Sequence, residues 1–198
     1  GALGDMACHT VNMPFAALDL ANPTSVVAET SGHNAETYPA WSIIDFVFPA
    51  KTTRPGLKFR WYDGKKLPPQ ELLQGKKMVG SGALIVGDKG SLYALGDYAE
   101  AGLHWLGVDP PKVDFKKSIG HVEEWVAAIK GGEQAKSNFA EYAGPLTETI
   151  LLGNLAVWAA KEPGKGKQIE WDARKLVATN APEVMHVVNK EYRQGWEI

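Results

Sequence analysis

Asp5 and His9 are the pair in this chain whose types and spacing best suit chemistry. Four residues apart on a helix, a carboxylate and an imidazole project from one face. There the Asp can orient the ring or hold a substrate hydroxyl. A His titrating near its unperturbed value of about 6.5 can take or give a proton at neutral pH. With Asp5 as the zero of a wheel at about 100° per residue, His9 and Asn12 fall within about 40° of it. Ala7, Val11 and Leu18 cluster on the opposite side, with Phe15 flanking them. Asp5, His9 and Asn12 therefore form one polar line on a helix whose apolar stripe needs a sheet or another helix to cover it. The same spacing also suits a plain helix-surface hydrogen bond or an N-terminal cap.

The other reactive side chains form weaker sets. Cys8 and His9 are adjacent and point about 100° apart on a helix, a poor arrangement for a nucleophilic dyad. Cys8 reads instead as a small buried hydrophobe. His33, His104, His121 and His186 are scattered without paired-ligand spacing, so no metal site is expected. Tyr98, His104 and Trp105 fall in an irregular stretch and are candidates to stack on or bind a sugar ring. For the aromatics on alternating or helical faces, core packing is the default reading.

The elements that must position these residues follow from periodicity. Leu3 to Leu18 reads as a helix that Pro14 should kink near Thr10, because proline lacks the amide hydrogen that would bond back to that carbonyl. Ser25 to Thr30 and Ser42 to Phe48 are strand-like. Leu57 to Tyr62 alternates, with Leu57, Phe59 and Trp61 on one face. The connection His33 to Trp41 can present side chains at a sheet end. Pro69 to Leu73 suggests a short helical turn. Gly82 to Val86 and Ser91 to Leu95 flank Gly87-Asp88-Lys89-Gly90, a hairpin signal. Gly96 to Lys117 reads as an irregular excursion over the surface.

Ser118 to Lys130 predicts an amphipathic helix, with Ile119, Val122, Val126 and Ile129 at helical spacing and Gly131-Gly132 ending it. Phe139 to Ala160 contains a more buried helix with Pro145 in its opening turn and Gly153 placed for close approach to the sheet. A short strand is expected over Gln168 to Trp171. Asn180-Ala181-Pro182-Glu183 reads as a helix start capped by Asn180, with Val184, Val188 and Tyr192 on its apolar face. This order predicts an α+β fold in two layers, helices packed on one face of a predominantly antiparallel mixed sheet. The sheet's other face, if uncovered, would be an interface, and a symmetric dimer follows.

Composition excludes several function classes. The chain has 198 residues with Lys+Arg 21 against Asp+Glu 23, a formal net charge of −2, so no positive field recruits nucleic acid or an anionic membrane. The single cysteine rules out an internal disulfide framework. The strongly apolar run Ile150 to Ala160 contains Gly153 and Asn154 and is far short of the roughly 20 residues a membrane span needs. No G-x-G-x-x-G follows a strand, and no secretion signal is visible at the start. Gly1-Ala2-Leu3-Gly4-Asp5 has no initiator Met, as expected of a processed chain or of a piece of a longer one.

Gly4-Asp5-Met6-Ala7-Cys8-His9 resembles the G-x-x-D-x-x-x-H element that opens the C-terminal domain in the glucose–fructose oxidoreductase / inositol dehydrogenase / rhizopine-catabolism (Gfo/Idh/MocA) family. The likeness extends through Gly56-Leu57-Lys58-Phe59-Arg60-Trp61-Tyr62-Asp63-Gly64, Gly87-Asp88-Lys89-Gly90-Ser91-Leu92 and Leu151-Leu152-Gly153-Asn154. Ile169-Glu170-Trp171-Asp172, Thr179-Asn180 and Tyr192-Arg193-Gln194-Gly195-Trp196 look like a bacterial subgroup of predicted dehydrogenases.

The resemblance implies that residues 1–198 are a single substrate and dimerisation domain like the C-terminal domain of glucose–fructose oxidoreductase. The N-terminal Rossmann domain, with its glycine-rich loop and E-K-P lysine, is absent from this chain. It implies a parent enzyme that oxidises a sugar or cyclitol hydroxyl with NAD or NADP. Asp5 would contact substrate and orient the base, and His9 would accept the proton. Asn12 stands where many members have Asp and would make a neutral contact. On this reading the isolated chain binds no cofactor and is inactive. Its partners are the sugar or polyol, the Rossmann domain and a second copy through the open sheet face. The compartment expected is cytoplasmic, or periplasmic if an export signal lies upstream. An NAD-dependent glycosidase and a catalytically silent binding or assembly module stay open beside it.

Overall fold

The computed structural model describes residues 1–197. The opening helical segment divides where Pro14 dictates. Proline has no amide hydrogen for the Thr10 carbonyl, and the ladder breaks at Val11 between α1 (Ala2–Thr10) and α2 (Asn12–Leu18). Leu3 and Ala7 of α1 and Phe15 of α2 are buried, whereas Asp5 is exposed and His9 half-buried.

The strands β1 (Ser25–Thr30), β2 (Ser42–Phe48) and β3 (Leu57–Tyr62) pair antiparallel in the order β3-β2-β1. The chain later returns to the far side of β1 with β7 (Gly164–Lys165), β8 (Ile169–Asp172) and β9 (Val177–Ala178). The register sets Val26 opposite Phe46 and Phe46 opposite Phe59. The two phenylalanine rings stack at 5.2 Å. Because alternate residues share a face, Ala28, Ile44, Phe48 and Trp61 join them in one apolar layer. Asp45 and Arg60 pair on the reverse face through two hydrogen bonds.

The apolar layer is covered by α4 (Gly144–Ala159), which lies over β1 and β2 and alongside α1. Pro145 sits in its first turn. Gly153 is where α4 meets the sheet. A Cβ built there would stand 2.5 Å from Leu3 Cδ2 and 2.7 Å from Phe46 Cζ.

A second antiparallel sheet holds β4 (Gly82–Val86), β5 (Ser91–Leu95) and β6 (Gly102–Leu106), around a small core of Leu73, Tyr93 and Leu106. The strand β6 corrects the expectation of an irregular run from Gly96 to Lys117. Its apolar alternation is only a few residues long and is set by pairing with β5, with Tyr93 opposite His104.

The helix α3 (His121–Ile129) forms as expected but buries no residue. Val122, Trp125 and Ile129 are 65%, 62% and 68% exposed, so its apolar face is uncovered among the described residues. The Asn180 cap is also corrected. The Asn180 side chain accepts from Glu170 N–H and donates to Gln168 C=O, both at 2.9 Å, clipping β8 instead of a helix. A 3₁₀ turn, Pro182–Val184, and a short α5 (Met185–Val188) follow, and the helix ends before Tyr192.

The architecture is a mixed α+β fold with helices packed against antiparallel sheets. Among the described residues it has two sheets, with every strand pairing antiparallel, where one mixed sheet was expected. No helix among the described residues is long and apolar enough to cross a membrane.

Candidate functional site

The exposed edge of α1 and α2 meets two tyrosines delivered from distant parts of the chain. At His9, the Nδ1 atom is hydrogen-bonded to the Tyr98 hydroxyl, and the two rings meet edge to face at 5.2 Å between centroids and 80° between planes. Tyr98 sits in the turn joining β5 to β6. That turn is held by Glu100, whose carboxylate accepts from the Tyr98 amide at 2.7 Å and the Asp97 amide at 3.3 Å. These amide hydrogen bonds, Tyr98 first, hold the Glu100 carboxyl below its ordinary value. Asp97 in turn accepts from the Ser81 hydroxyl ahead of β4, so the turn is anchored on both sides.

At Asn12, the Tyr142 hydroxyl donates to the side-chain oxygen and lies 3.1 Å from the main-chain oxygen. Tyr142 comes from the π-helical turn Phe139–Ala143 that precedes α4, and its ring packs edge-on against Phe15 at 5.5 Å. Burial pushes the Tyr142 phenol above its ordinary range, because desolvation disfavours the phenolate.

Asp5 lies one turn before His9 on the same helix, and its carboxylate enters no hydrogen bond or ion pair among the described residues. Its main-chain oxygen accepts from the Cys8 thiol at 3.4 Å. Cys8 is exposed and free, not the buried hydrophobe expected from composition. The line of three polar residues therefore presents an unengaged carboxylate at Asp5, an imidazole at His9 held through one nitrogen, and a carboxamide at Asn12 whose oxygen is taken and whose NH₂ is left to donate.

The other two candidates occupy different surroundings. His104 faces the Tyr93 ring across the strands, with centroids 6.3 Å apart. Trp105, the next residue, points to the opposite face of the second sheet, opposite Leu92. Neighbouring residues on a strand point to opposite faces, so His104 and Trp105 do not converge on one ring, and neither contacts His9. Tyr142 and Glu100 escaped sequence reasoning. Tyr142 lies in a π turn with no periodic signal, and Glu100 is one of many exposed acids until its backbone partners are known.

The site is an open surface, not an enclosed pocket. A cavity of about 120 Å³ borders Leu3, Tyr38, Ser42, Asp63 and Asn154. It lies at the N-terminal end of α1, roughly 10 Å along the helix axis from His9. No group of three or more His, Cys, Asp and Glu residues among those described is placed to hold a metal ion. Chemically, the edge presents a carboxylate that accepts hydrogen bonds, an imidazole that accepts or donates, and an amide that donates. No protein-family model matches this chain, and no curated protein matches it significantly.

Proposed function

We propose that this chain is the substrate-binding side of an oxidoreductase acting on a sugar or cyclitol hydroxyl, of the Gfo/Idh/MocA type, with His9 as the proton acceptor. The observation that carries this reading is the state of the three polar residues on the α1–α2 edge. Asp5 is exposed and unengaged, His9 is anchored through Nδ1 alone, and Asn12 keeps its NH₂. Vicinal hydroxyls need alternating acceptors and donors, and this edge offers a carboxylate, an imidazole and an amide donor along one helical line. Proton transfer by a positioned imidazole is worth roughly 10²- to 10⁴-fold in rate.

The fold supports the reading at the level of layers, with α1 and α4 on one face of an antiparallel sheet and the reverse face carrying the Asp45–Arg60 pair. That reverse face is the proposed contact with a second copy. This reading asks none of the described residues to hold the dinucleotide. All strand pairings in both sheets are antiparallel, and no glycine-rich turn leads directly from a strand into a helix to cradle a pyrophosphate. On this reading NAD or NADP is held by a Rossmann domain outside these residues. What this chain contributes is recognition of the hydroxyl and a place for its proton.

Two measurements test this. In an isotope-edited NMR titration of the chain with myo-inositol and with glucose, the resonances of Asp5, His9 and Asn12 shift together. In a protein that includes the nicotinamide domain, His9→Ala lowers turnover by at least about 10²-fold. Unchanged turnover in His9→Ala would favour an assembly module. Sugar release from a glycoside without net NAD(P)H would favour the glycosidase.

A further inference from the structure

We propose that Tyr98, not Asp5, is the residue that positions His9, and that it makes Nε2 the nitrogen through which His9 exchanges its proton. The proposal rests on the reading of His9 as a proton acceptor, and it deepens that reading by assigning the orienting role and the reacting atom.

The i, i+4 carboxylate is the natural candidate to orient the ring, yet it makes no hydrogen bond to it. The Tyr98 hydroxyl is bonded to Nδ1 instead. The edge-to-face packing of the two rings, 80° between planes, fixes the imidazole in a second way. Turning the ring over would exchange Nδ1 for a carbon and leave the hydroxyl without its partner. When the imidazole carries both protons, Nδ1–H donates to the phenol oxygen. The proton free to leave is then the one on Nε2, and the base it leaves behind has its lone pair there. A proton arriving from a substrate hydroxyl lands on that same atom.

A positioning residue has to be held rigidly itself. Tyr98 is 59% exposed, but its backbone is not loose. Its amide donates to Glu100, Ala101 N–H donates to Leu95 C=O and Gly102 N–H to Ala99 C=O, both at 3.2 Å, and Ser81 ties down Asp97. With orientation supplied by a phenol, the Asp5 carboxylate is left to accept a hydrogen bond from substrate. A neutral orienting group also adds no further negative charge next to that of Asp5.

The test is the ring-nitrogen NMR of the ¹⁵N-labelled chain, in which His104 and His121 serve as internal references, because His33 and His186 are themselves bonded through Nδ1. In the wild-type chain, His9 Nδ1 resonates away from the position of a solvated histidine, and the His9 and Tyr98 ring protons show a through-space cross-peak. Tyr98→Phe keeps the ring and removes the hydroxyl. The displacement of Nδ1 is then lost, Nε2 moves little, and the amide fingerprint is preserved. Glu100→Gln, which weakens the turn without touching either ring, reduces the cross-peak. An Nδ1 resonance unchanged by Tyr98→Phe overturns the proposal, as does an Asp5→Asn chain that shows the loss expected of Tyr98→Phe. These readouts need no turnover. Failure of His9→Ala to lower activity in the larger protein would overturn the proton-acceptor reading and leave the Nδ1 result standing.

Discussion

Tyr142 reaches from the turn ahead of α4 to Asn12, at the break between α1 and α2, and hydrogen-bonds its carboxamide oxygen. The two residues are 130 positions apart in the chain. The contact ties the polar edge of the site to the helix that covers the sheet. It also decides the polarity of Asn12, which can offer only its NH₂ to a ligand. Tyr142→Phe should keep the edge-to-face packing on Phe15 and cost about 1 kcal/mol, the usual net worth of one hydrogen bond. Chemical denaturation with an unchanged m-value would measure it, and a cost near zero would show that water replaces the phenol.

Tyr142 also predicts an alkaline dependence. Its phenol is held above the ordinary value by burial. The folded state thus binds this proton more tightly than the unfolded chain. The stabilisation is fully present below the unfolded value of about 10 and is lost as pH rises through the folded value. Thermal midpoints collected from neutral pH to beyond that value should fall less steeply for Tyr142→Phe than for the wild type.

Glu100 has the opposite sign. Its carboxyl is held down by the amides of the Tyr98 turn. The turn is therefore stabilised above the unfolded carboxyl value of about 4.3 and loses that contribution as pH falls through the lower folded value. The Asp97 carboxylate lies in the same turn, bonded to Ser81, and the His9 ring packs on Tyr98. Comparison with Glu100→Gln isolates the one carboxyl. The cross-peak between the His9 and Tyr98 rings should weaken on acidification in the wild type. In Glu100→Gln it should already be weak at neutral pH.

Gly153→Ala should destabilise the protein in spite of alanine's higher helix propensity, which favours it by about 1 kcal/mol. The added methyl meets Leu3 and Phe46, and both are buried, 3% and 0% exposed. Neither can step aside, and overpacking of this kind costs roughly 1–3 kcal/mol. The melting temperature measures the balance, and a rise would show that α4 can shift outward.

Trp125 and Phe46 make a contrasting pair. Phe46 is fully buried between sheet and helix, and Phe46→Ala should cost about 3–5 kcal/mol through the lost transfer energy and the cavity left behind. Trp125 is exposed on α3, and Trp125→Ala should stay within about 0.5 kcal/mol. A large loss for Trp125→Ala would mean that the apolar face of α3 is covered in solution.

Much of the local structure was legible because its cause is local. The alternation of Leu57, Phe59 and Trp61 marks a half-buried strand, Pro14 interrupts a helix by lacking one hydrogen, and Gly153 sits at the closest approach of helix and sheet. The helical line from Asp5 to Asn12 was legible for the same reason, since spacing alone decides which side chains share a face. At Asn180 and at β6 the readings departed from the structure because a partner outside the segment prevailed. Asn180 is bonded to β8 instead of capping a helix, and β6 exists because β5 offers it a register.

The residues that complete the site came from neither spacing nor composition. Tyr98 stood out in sequence as an aromatic that could stack on or bind a sugar ring, not as a partner of His9, and Tyr142 did not stand out at all. The sequence by itself determined the faces, which side of each helix and strand is apolar and which carries Asp5, His9 and Asn12. Only the tertiary structure decided what those faces meet, a phenol on Nδ1 of His9 and another on Asn12. The physical reason is that periodicity is a property of a few consecutive residues. Bringing together groups 89 and 130 positions apart depends on strand register and loop closure summed over the whole chain.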